Sequence, residues 1–160
     1  MQFATADLVD RHQASIVSCS VPFLQFGGRS HFYGPVRTAQ TLDDNALIRD
    51  LVSTPGDGAV LVVDGGGSLA TALAGDMLAE EAIRNAWAGL VLFGAVRDSV
   101  RLRSLNLGIK ALGTNPMRSA KLGTGTLDLP IRFGGITFTP GHWLYSDEDG
   151  IILSSRRLSL

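Results

Sequence analysis

The chain has 160 residues, of which 45% are hydrophobic and 18% are charged, and its formal net charge at pH 7 is −1. This length allows a single domain, residues 1–160, with a substantial core, while the small negative charge argues against direct nucleic-acid binding, which needs a basic surface. The lone Cys19 excludes an internal disulfide. The N-terminus has no basic start, which argues against a signal peptide, and no apolar run approaches the ~20 residues of a membrane span. We therefore expect a cytoplasmic protein.

Helices and strands are predicted to alternate over the first two thirds of the chain. Apolar residues at helical spacing, together with capping residues such as Thr5 and Asp44, predict helices at residues 6–13, 44–54, 77–87 and 98–105. Short apolar runs predict strands at residues 15–19, 59–63, 90–93 and 109–112. The segment 69–74 is too short for its periodicity to distinguish a helix from a strand.

The last third of the chain, from Ile131 onward, is rich in β-forming residues and glycine. It predicts strands within residues 131–140, 142–146 and 150–154, with the acidic tract 147–149 as a hairpin turn. Strands that alternate with helices early and follow one another late predict an α/β fold with a mixed central sheet.

Two junctions, at which an apolar run gives way to a helix, carry the functional signal. Gly75 and Asp76 form the first junction, and Arg97 and Asp98 form the second after twenty intervening residues. The first N–H groups of a helix lack partners inside it and attract anions. One helix and one strand fit between the junctions, which could bring both to the same edge of the sheet. Such a site would suit an anionic substrate and a hard cation such as Mg²⁺ or Mn²⁺.

The residue types alone leave plainer alternatives open. Asp76 and Asp98 could be helix caps, and Arg97 could belong to a surface ion pair. The glycine run after Asp64 is only weakly similar to nucleotide or S-adenosylmethionine loops, because the chain has no G-x-G-x-x-G pattern and no Walker lysine. The three histidines form no zinc-binding pattern, so any metal site should use oxygen ligands.

The chain resembles the RraA-like family over nearly its whole length. The similar segments are YGPVRTAQT, VLVVDGGGSLATALAGD, GLVLFGAVRD, LGIKALGTNP and IRFGGITFTPGHWLYSDEDGIILS. The D-x20-R-D pattern of the aldolase members is present as Asp76, Arg97 and Asp98. That family contains class II, metal-dependent 4-hydroxy-4-methyl-2-oxoglutarate aldolases and proteins named as regulators of ribonuclease E activity. The resemblance implies a swivelling β/β/α domain, a strand at residues 69–74, and a homotrimer with sites near subunit interfaces.

The resemblance also implies a role for each junction residue. Arg97 would contact the substrate oxygens and stabilise the charge of an enolate. Asp98 would ligate the divalent metal directly or through water, and Asp76 would order a water molecule for proton transfer. The backbone amides that would hold the pyruvyl carboxylate of a 2-oxo acid are those of Gly75, Asp76, Met77 and Leu78.

The activity implied by the resemblance is cleavage of 4-hydroxy-4-methyl-2-oxoglutarate to two pyruvates, with secondary oxaloacetate decarboxylation through the same enolate. A cation and a guanidinium aimed at the 2-oxo oxygen suit that enolate, whereas a Schiff-base mechanism would depend on Lys110 or Lys121. Aldolase members are often longer at the C-terminus, where residues of a neighbouring subunit complete the pocket, whereas the ending at Leu160 is more typical of regulator-type members. A neighbour's acidic group could come instead from residues 147–149. The alternative function is therefore a non-catalytic interaction module that inhibits ribonuclease E.

Overall fold

The structure is a computed structural model that describes residues 3–160. The helices in this range are α1 (Thr5–His12), α2 (Ala46–Val52), α3 (Asp76–Arg84) and α4 (Ser99–Leu102), with a 3₁₀ turn at Gln13–Ser15. The strands are β1 (Ile16–Ser18), β2 (Leu24–Gln25), β3 (Phe32–Gln40), β4 (Val60–Asp64), β5 (Ala72–Ala74), β6 (Gly89–Val96), β7 (Gly108–Thr114), β8 (Thr126–Leu127), β9 (Ile131–Phe133), β10 (Ile136–Phe138), β11 (Trp143–Ser146) and β12 (Ile151–Ser154).

A large mixed sheet organises the molecule, with strand order β1-β12-β11-β3-β4-β6-β7-β2. The central strands β3, β4, β6 and β7 are parallel neighbours, and the short β5 also runs parallel to β6. Antiparallel strands extend the sheet at both sides, and β9 and β10 form a separate hairpin. The predicted α/β fold with a mixed central sheet is confirmed.

The buried strand β4 shows how the sheet packs on both faces. Because successive side chains of a strand point to opposite faces, its continuous apolar sequence serves two cores. Leu61 and Val63 pack in the core beneath α2, α3 and α4. Val60 and Val62 pack in the core covered by the β9–β10 hairpin and by β11 and β12. Helices α2, α3 and α4 therefore lie on one face of the parallel strands, whereas α1 packs against β11 and β12.

A close approach between glycine and an aromatic ring fixes the centre of this sheet. Phe32, which is 2% exposed, lies over Gly108, and a β-carbon built on that glycine would come within 2.1 Å of the ring. Gly89, the partner of Gly108 in the neighbouring strand, lies under the same ring, and a β-carbon built on it would come within 2.5 Å of Phe32. Only glycine leaves room for Phe32 at these two positions.

The helix α1 is tied to the β11–β12 turn through the buried Asp147. The Asp147 carboxylate accepts hydrogen bonds from the backbone N–H (2.6 Å) and hydroxyl (2.8 Å) of Thr5. Although burial alone would raise the pKa of Asp147, these hydrogen bonds outweigh burial and lower it. Lys110 donates to the backbone oxygen of Asp147, and its own pKa is lowered by burial. The acidic tract 147–149 is thus a hairpin turn, as predicted.

The structure corrects several details of the predicted elements. Thr5 is not a helix cap: Ala4 occupies the N-cap position, and the Thr5 hydroxyl serves Asp147 instead. The helix expected at residues 98–105 is only Ser99–Leu102. The ambiguous segment 69–74 contains a strand, Ala72–Ala74, which the resemblance favoured. Across residues 3–160, no helix combines the length and apolar character required to span a bilayer.

Candidate functional site

The two strand-to-helix junctions meet in space, as their spacing predicts. β5 leads into Gly75 and the start of α3, while β6 leads into Arg97 and Asp98 before α4. Because β5 and β6 are parallel and pair at their carboxyl ends, the Arg97 N–H donates to the carbonyl of Ala74 at 3.0 Å. Both junctions therefore lie at one edge of the sheet, where the carboxyl ends of parallel strands leave a crevice.

Glycine at position 75 lets the second junction approach the first. A β-carbon built there would lie 2.5 Å from Asp98 Oδ2 and 3.2 Å from Arg97 Cγ. The Gly75 backbone is extended, with φ −144°, so any residue could adopt its conformation. The need for glycine is therefore one of space, and the space is filled by Arg97 and Asp98.

Asp98 has an uncommon backbone conformation. Its φ of 58° and ψ of 36° lie in the left-handed region, which aspartate tolerates better than most residues other than glycine. Its Oδ2 accepts a hydrogen bond from the Asp76 N–H at 3.2 Å and lies 3.9 Å from Arg97 Nε. The Arg97 and Asp98 side chains are each 39% exposed, so both face solvent in the crevice.

The start of α3 offers fewer open donors than expected. The Asp76 N–H is engaged by Asp98, and the Met77 N–H donates to the Asp76 side chain at 2.7 Å. The Gly75 and Leu78 N–H groups make no hydrogen bond within residues 3–160. Two of the four predicted anion-binding amides, those of Gly75 and Leu78, are thus open, and the helix dipole adds its positive end.

The junctions form one side of a cleft of about 440 Å³. All six predicted site residues line it, together with other residues of α3 and with residues from β5, from α2 and from the segment after β7. The charged residues among these additions are Arg49, Arg84, Arg118, Lys121, Glu80 and Glu81. Arg84 hydrogen-bonds Glu81 and lowers the pKa of that carboxyl, and Glu80 pairs with Arg101 at 2.9 Å.

The donor set at the cleft fits a hydrated divalent cation better than a metal caged by protein. Within residues 3–160 no three His, Cys, Asp or Glu side chains are arranged as a metal-binding group. Mg²⁺ commonly keeps several waters and uses only one or two carboxylates, with further oxygens from the substrate. Asp98 is suitable because its Oδ1 accepts no hydrogen bond from the described residues. Asp76, the other carboxylate at the junctions, has only Oδ1 engaged.

The side of the cleft opposite Arg97 was not found by sequence reasoning. Asn45 holds it in place: its backbone N–H donates to Ala120 at 3.0 Å and its side chain donates to Leu73 at 3.2 Å. Lys121 in turn donates to the Asn45 side chain at 3.3 Å. These residues come from separate segments and share no motif or spacing, so the sequence carried no signal that could have found them.

The glycine run after β4 is a tight turn outside this cleft. The Asp64 side chain accepts the Gly66 N–H at 2.9 Å, and both Gly66 and Gly67 have positive φ. Glycine is the residue that adopts such a conformation without strain. This turn lies apart from Arg97 and Asp98 and lines no part of the cleft.

Fold and cleft together define a mixed α/β protein with a ligand crevice at the carboxyl ends of parallel strands. The family model described as RraA-like, Aldolase/RraA, matches residues 5–153, and the chain belongs to this family. The structure is similar to that of the RNA-processing inhibitor RraA from Thermus thermophilis, with a TM-score of 0.95 and 44% identity, covering 99% of this chain and 96% of that chain.

Two other solved structures show how varied the names of similar proteins are. A Geobacillus kaustophilus HTA426 protein named S-adenosylmethionine:2-dimethylmenaquinone methyltransferase has a TM-score of 0.96 and 39% identity, covering 98% of this chain and 97% of that chain. Streptomyces coelicolor RraAS2, named an unusual member of the RNase ES inhibitor RraA protein family, has a TM-score of 0.75 and 28% identity, covering 94% and 79%. The family thus includes both aldolases and RNase inhibitors.

Proposed function

We propose that this protein is a divalent-metal-dependent lyase of the cytoplasm that cleaves 4-hydroxy-4-methyl-2-oxoglutarate to two pyruvates and decarboxylates oxaloacetate as a secondary reaction. The observation that carries the proposal is the meeting of the two junctions in one cleft. There Arg97, Asp98 and the start of α3 lie side by side. This combination suits a 2-oxo acid, which presents a carboxylate and an adjacent carbonyl oxygen.

The substrate is oriented by groups at both junctions. The open Gly75 and Leu78 N–H groups and the positive end of α3 receive the pyruvyl carboxylate. The Asp76 and Met77 amides join them once their present carboxylate partners turn away. Arg97 donates to the 2-oxo oxygen, which becomes negatively charged as the enolate forms. Asp98 would hold a divalent cation, Mg²⁺ or Mn²⁺, which would supply Lewis-acid polarisation of the 2-oxo oxygen.

Proton transfer falls to Asp76, acting through a water molecule. The proton of the C4 hydroxyl leaves, the C3–C4 bond breaks, and C4 becomes the carbonyl carbon of the first pyruvate. The bonding electrons remain on the other fragment as a pyruvate enolate, which Arg97 stabilises until C3 is protonated. Loss of one such oxyanion donor typically lowers the rate by about 10²–10³-fold.

The two lysines support this mechanism over one that uses a Schiff base. Burial lowers the pKa of Lys110, which would favour a nucleophilic amine. This residue lies outside the cleft, however, and its amine is hydrogen-bonded to the backbone oxygen of Asp147. Lys121 lines the cleft, but its side chain is exposed and hydrogen-bonded to that of Asn45. An enolate stabilised by Arg97 needs neither amine.

The test is pyruvate release from 4-hydroxy-4-methyl-2-oxoglutarate and oxaloacetate, with and without Mg²⁺. Arg97→Ala and Asp98→Ala should each abolish turnover while the circular dichroism spectrum is unchanged. Arg103→Ala, which removes an exposed arginine outside the cleft, should retain turnover. Activity that survives both cleft substitutions, or that is unchanged in EDTA, would refute the proposal.

The second candidate function is a protein-interaction module that inhibits ribonuclease E. It is favoured by the Thermus thermophilis relative, which is named an RNA-processing inhibitor and is 44% identical. A pull-down with ribonuclease E should compare the wild type with Asp98→Asn. Strong binding by both proteins, together with no cleavage of any 2-oxo acid, would favour the inhibitor.

A homotrimer is proposed as the working assembly. Exposed apolar side chains near the cleft support an interface, since large apolar residues on a surface often mark contact sites. They include Met117 (63% exposed) and Leu122 (81%), which are next in sequence to the cleft residues Arg118 and Lys121. Light scattering coupled to size-exclusion chromatography measures the assembly directly, and a monomer at micromolar concentration would contradict it.

A further inference from the structure

One end of the large sheet is an open strand edge without the usual protection. Among the described strands, β1 begins the order and pairs with β12 alone. Because the Cys19 N–H donates to the Ile151 carbonyl at 2.9 Å, the alternate residues Ile16 and Ser18 turn their N–H and C=O groups away from β12. Native edge strands are usually blunted by a charged residue, a proline or a covering segment. β1 has neither a charge nor a proline, and its Val17 is 51% exposed.

A second open edge is tied to the first. β9 and β10 are joined by a two-residue turn, Gly134 and Gly135, in which both residues have positive φ. The residues that flank such a turn are hydrogen-bonded to each other, so Thr137, one position further along β10, turns its N–H and C=O groups away from β9. The Ser20 N–H donates to the Gly134 carbonyl at 2.9 Å. This bond holds the β9–β10 turn against the chain that follows β1.

A groove of about 510 Å³ lies along both open edges. Ile16 and Val17 of β1 line it, as do Ile136 and Thr137 of β10, and the buried Leu153 of β12 also contributes. We refer to it as the edge groove. It shares no lining residue with the cleft at the ends of β5 and β6. The edge groove is therefore a separate surface, with an apolar lining and main-chain groups of two strands beside it.

The charged side chains at the edge groove are basic. Arg132 and His142 line it, and none of the described aspartates or glutamates does so. Across residues 3–160, no carboxylate lies within 4.0 Å of Arg132 or of Arg156, which follows the lining residue Ser155. The Arg132 guanidinium donates to the Thr137 hydroxyl at 3.4 Å. A cation without an acidic partner thus lies beside the outward main-chain groups of β10.

We propose that the edge groove binds an extended, acidic segment of a partner protein, which adds to β1 as a further strand and places carboxylates near Arg132. In this mode of recognition, main-chain hydrogen bonds to the open edge supply affinity and the side chains supply specificity. Ile16 and Ser18 require alternating N–H and C=O partners, which a polypeptide offers and a nucleic acid or a small anion does not. A second copy of this chain is disfavoured, because pairing two β1 edges would bring two positive grooves together.

The test is an amide NMR titration of the isotope-labelled full chain with a synthetic hexapeptide of alternating glutamate and valine. The signals of Ile16, Ser18 and Thr137 should shift, with a dissociation constant below about 1 mM. The same peptide with every backbone nitrogen methylated should bind at least about tenfold more weakly, because it has no main-chain donor. A hexapeptide of alternating lysine and valine should also bind more weakly than the glutamate peptide.

Two variants separate the contributions of charge and main chain. Arg132→Glu should weaken the glutamate peptide by about fivefold and strengthen the lysine peptide. Ser18→Pro removes an outward N–H while leaving the hydrogen bonds to β12 in place, and it should weaken the glutamate peptide as well. Arg103→Glu is the matched control, because Arg103 is exposed and lines neither the edge groove nor the cleft. It should leave both affinities unchanged.

Several results would overturn the inference. They are no shift at millimolar glutamate peptide, shifts confined to the cleft, equal binding of the methylated peptide, and equal losses in Arg132→Glu and Arg103→Glu. Pairing of β1 between two copies of the chain, without peptide binding, would assign the edge groove to self-association and would also overturn it. The outcome does not depend on turnover of any 2-oxo acid, because the edge groove and the cleft are separate.

Discussion

Replacing Gly75 with alanine tests whether the close approach of the two junctions matters for function. The new methyl group would meet Asp98 Oδ2 at 2.5 Å, well inside the ~3.3 Å of an ordinary carbon–oxygen contact. The Asp98 carboxylate must therefore shift by somewhat under 1 Å and weaken its hydrogen bond from the Asp76 N–H. Displacements of about 1 Å at a reacting centre can lower rates by about 10²-fold, so we expect kcat/KM to fall by about 10–100-fold.

Stability should change little in Gly75→Ala. Loss of the hydrogen bond from the Asp76 N–H lowers the unfolding free energy by about 0.5–1.5 kcal/mol. Alanine in an extended backbone raises it by about 0.4–1 kcal/mol, because it restricts the unfolded chain. The expected net change in unfolding free energy is thus within about 1 kcal/mol. The assays are urea denaturation and a Mg²⁺ titration of pyruvate release, in which the variant should need more Mg²⁺.

Gly113→Ala is the matched control for this experiment. Its β-carbon would meet only the Leu69 side chain at 3.6 Å, an ordinary contact, and Gly113 does not line the cleft. It should retain both activity and the Mg²⁺ requirement. If Gly75→Ala keeps kcat/KM within twofold of the wild type, the position of the Asp98 carboxylate is not what the reaction depends on.

Two further predictions concern the fold. Burial alone would raise the pKa of Asp44, but hydrogen bonds from Ala46 and Thr124 outweigh it and hold the pKa well below its usual range. That stabilisation is complete above the unfolded pKa of about 4 and is lost as pH falls further. Asp44→Asn should therefore lower the unfolding free energy at pH 7 and flatten its dependence on pH below about 4, both measured by urea denaturation. An unchanged slope of unfolding free energy against pH would contradict this. Gly108→Ala should force Phe32 aside and cost about 1–3 kcal/mol, and an unshifted urea midpoint would show that the ring relaxes freely.

The sequence predicted the architecture because apolar runs and their order determine it. The run at β4 is buried on both faces, and its length and flanking turns were sufficient to predict a strand. Element ends were less predictable, since tertiary contacts decide them. Thr5 illustrates this: a good cap residue by type, it hydrogen-bonds the distant Asp147 instead.

The junctions were predictable because their residues are close in sequence to the strands that position them. Arg97 follows β6 directly, so its place at the sheet edge follows from the strand itself. The cleft residues Arg49 and Arg118 could not be predicted, because they come from different segments brought together only by contacts with β5 and Asn45. The partial occupation of the α3 amides by the protein's own carboxylates also depends on three-dimensional contacts alone.

The left-handed backbone of Asp98 limits which residues that position can accept. Glycine, asparagine and aspartate fit such a turn most readily, and among these three only aspartate has a negative charge. Asp98→Asn would therefore remove the negative charge while the backbone kept its conformation. Under the proposed function, a single side-chain change at this position would remove the metal ligand while the fold remained available for association with a partner.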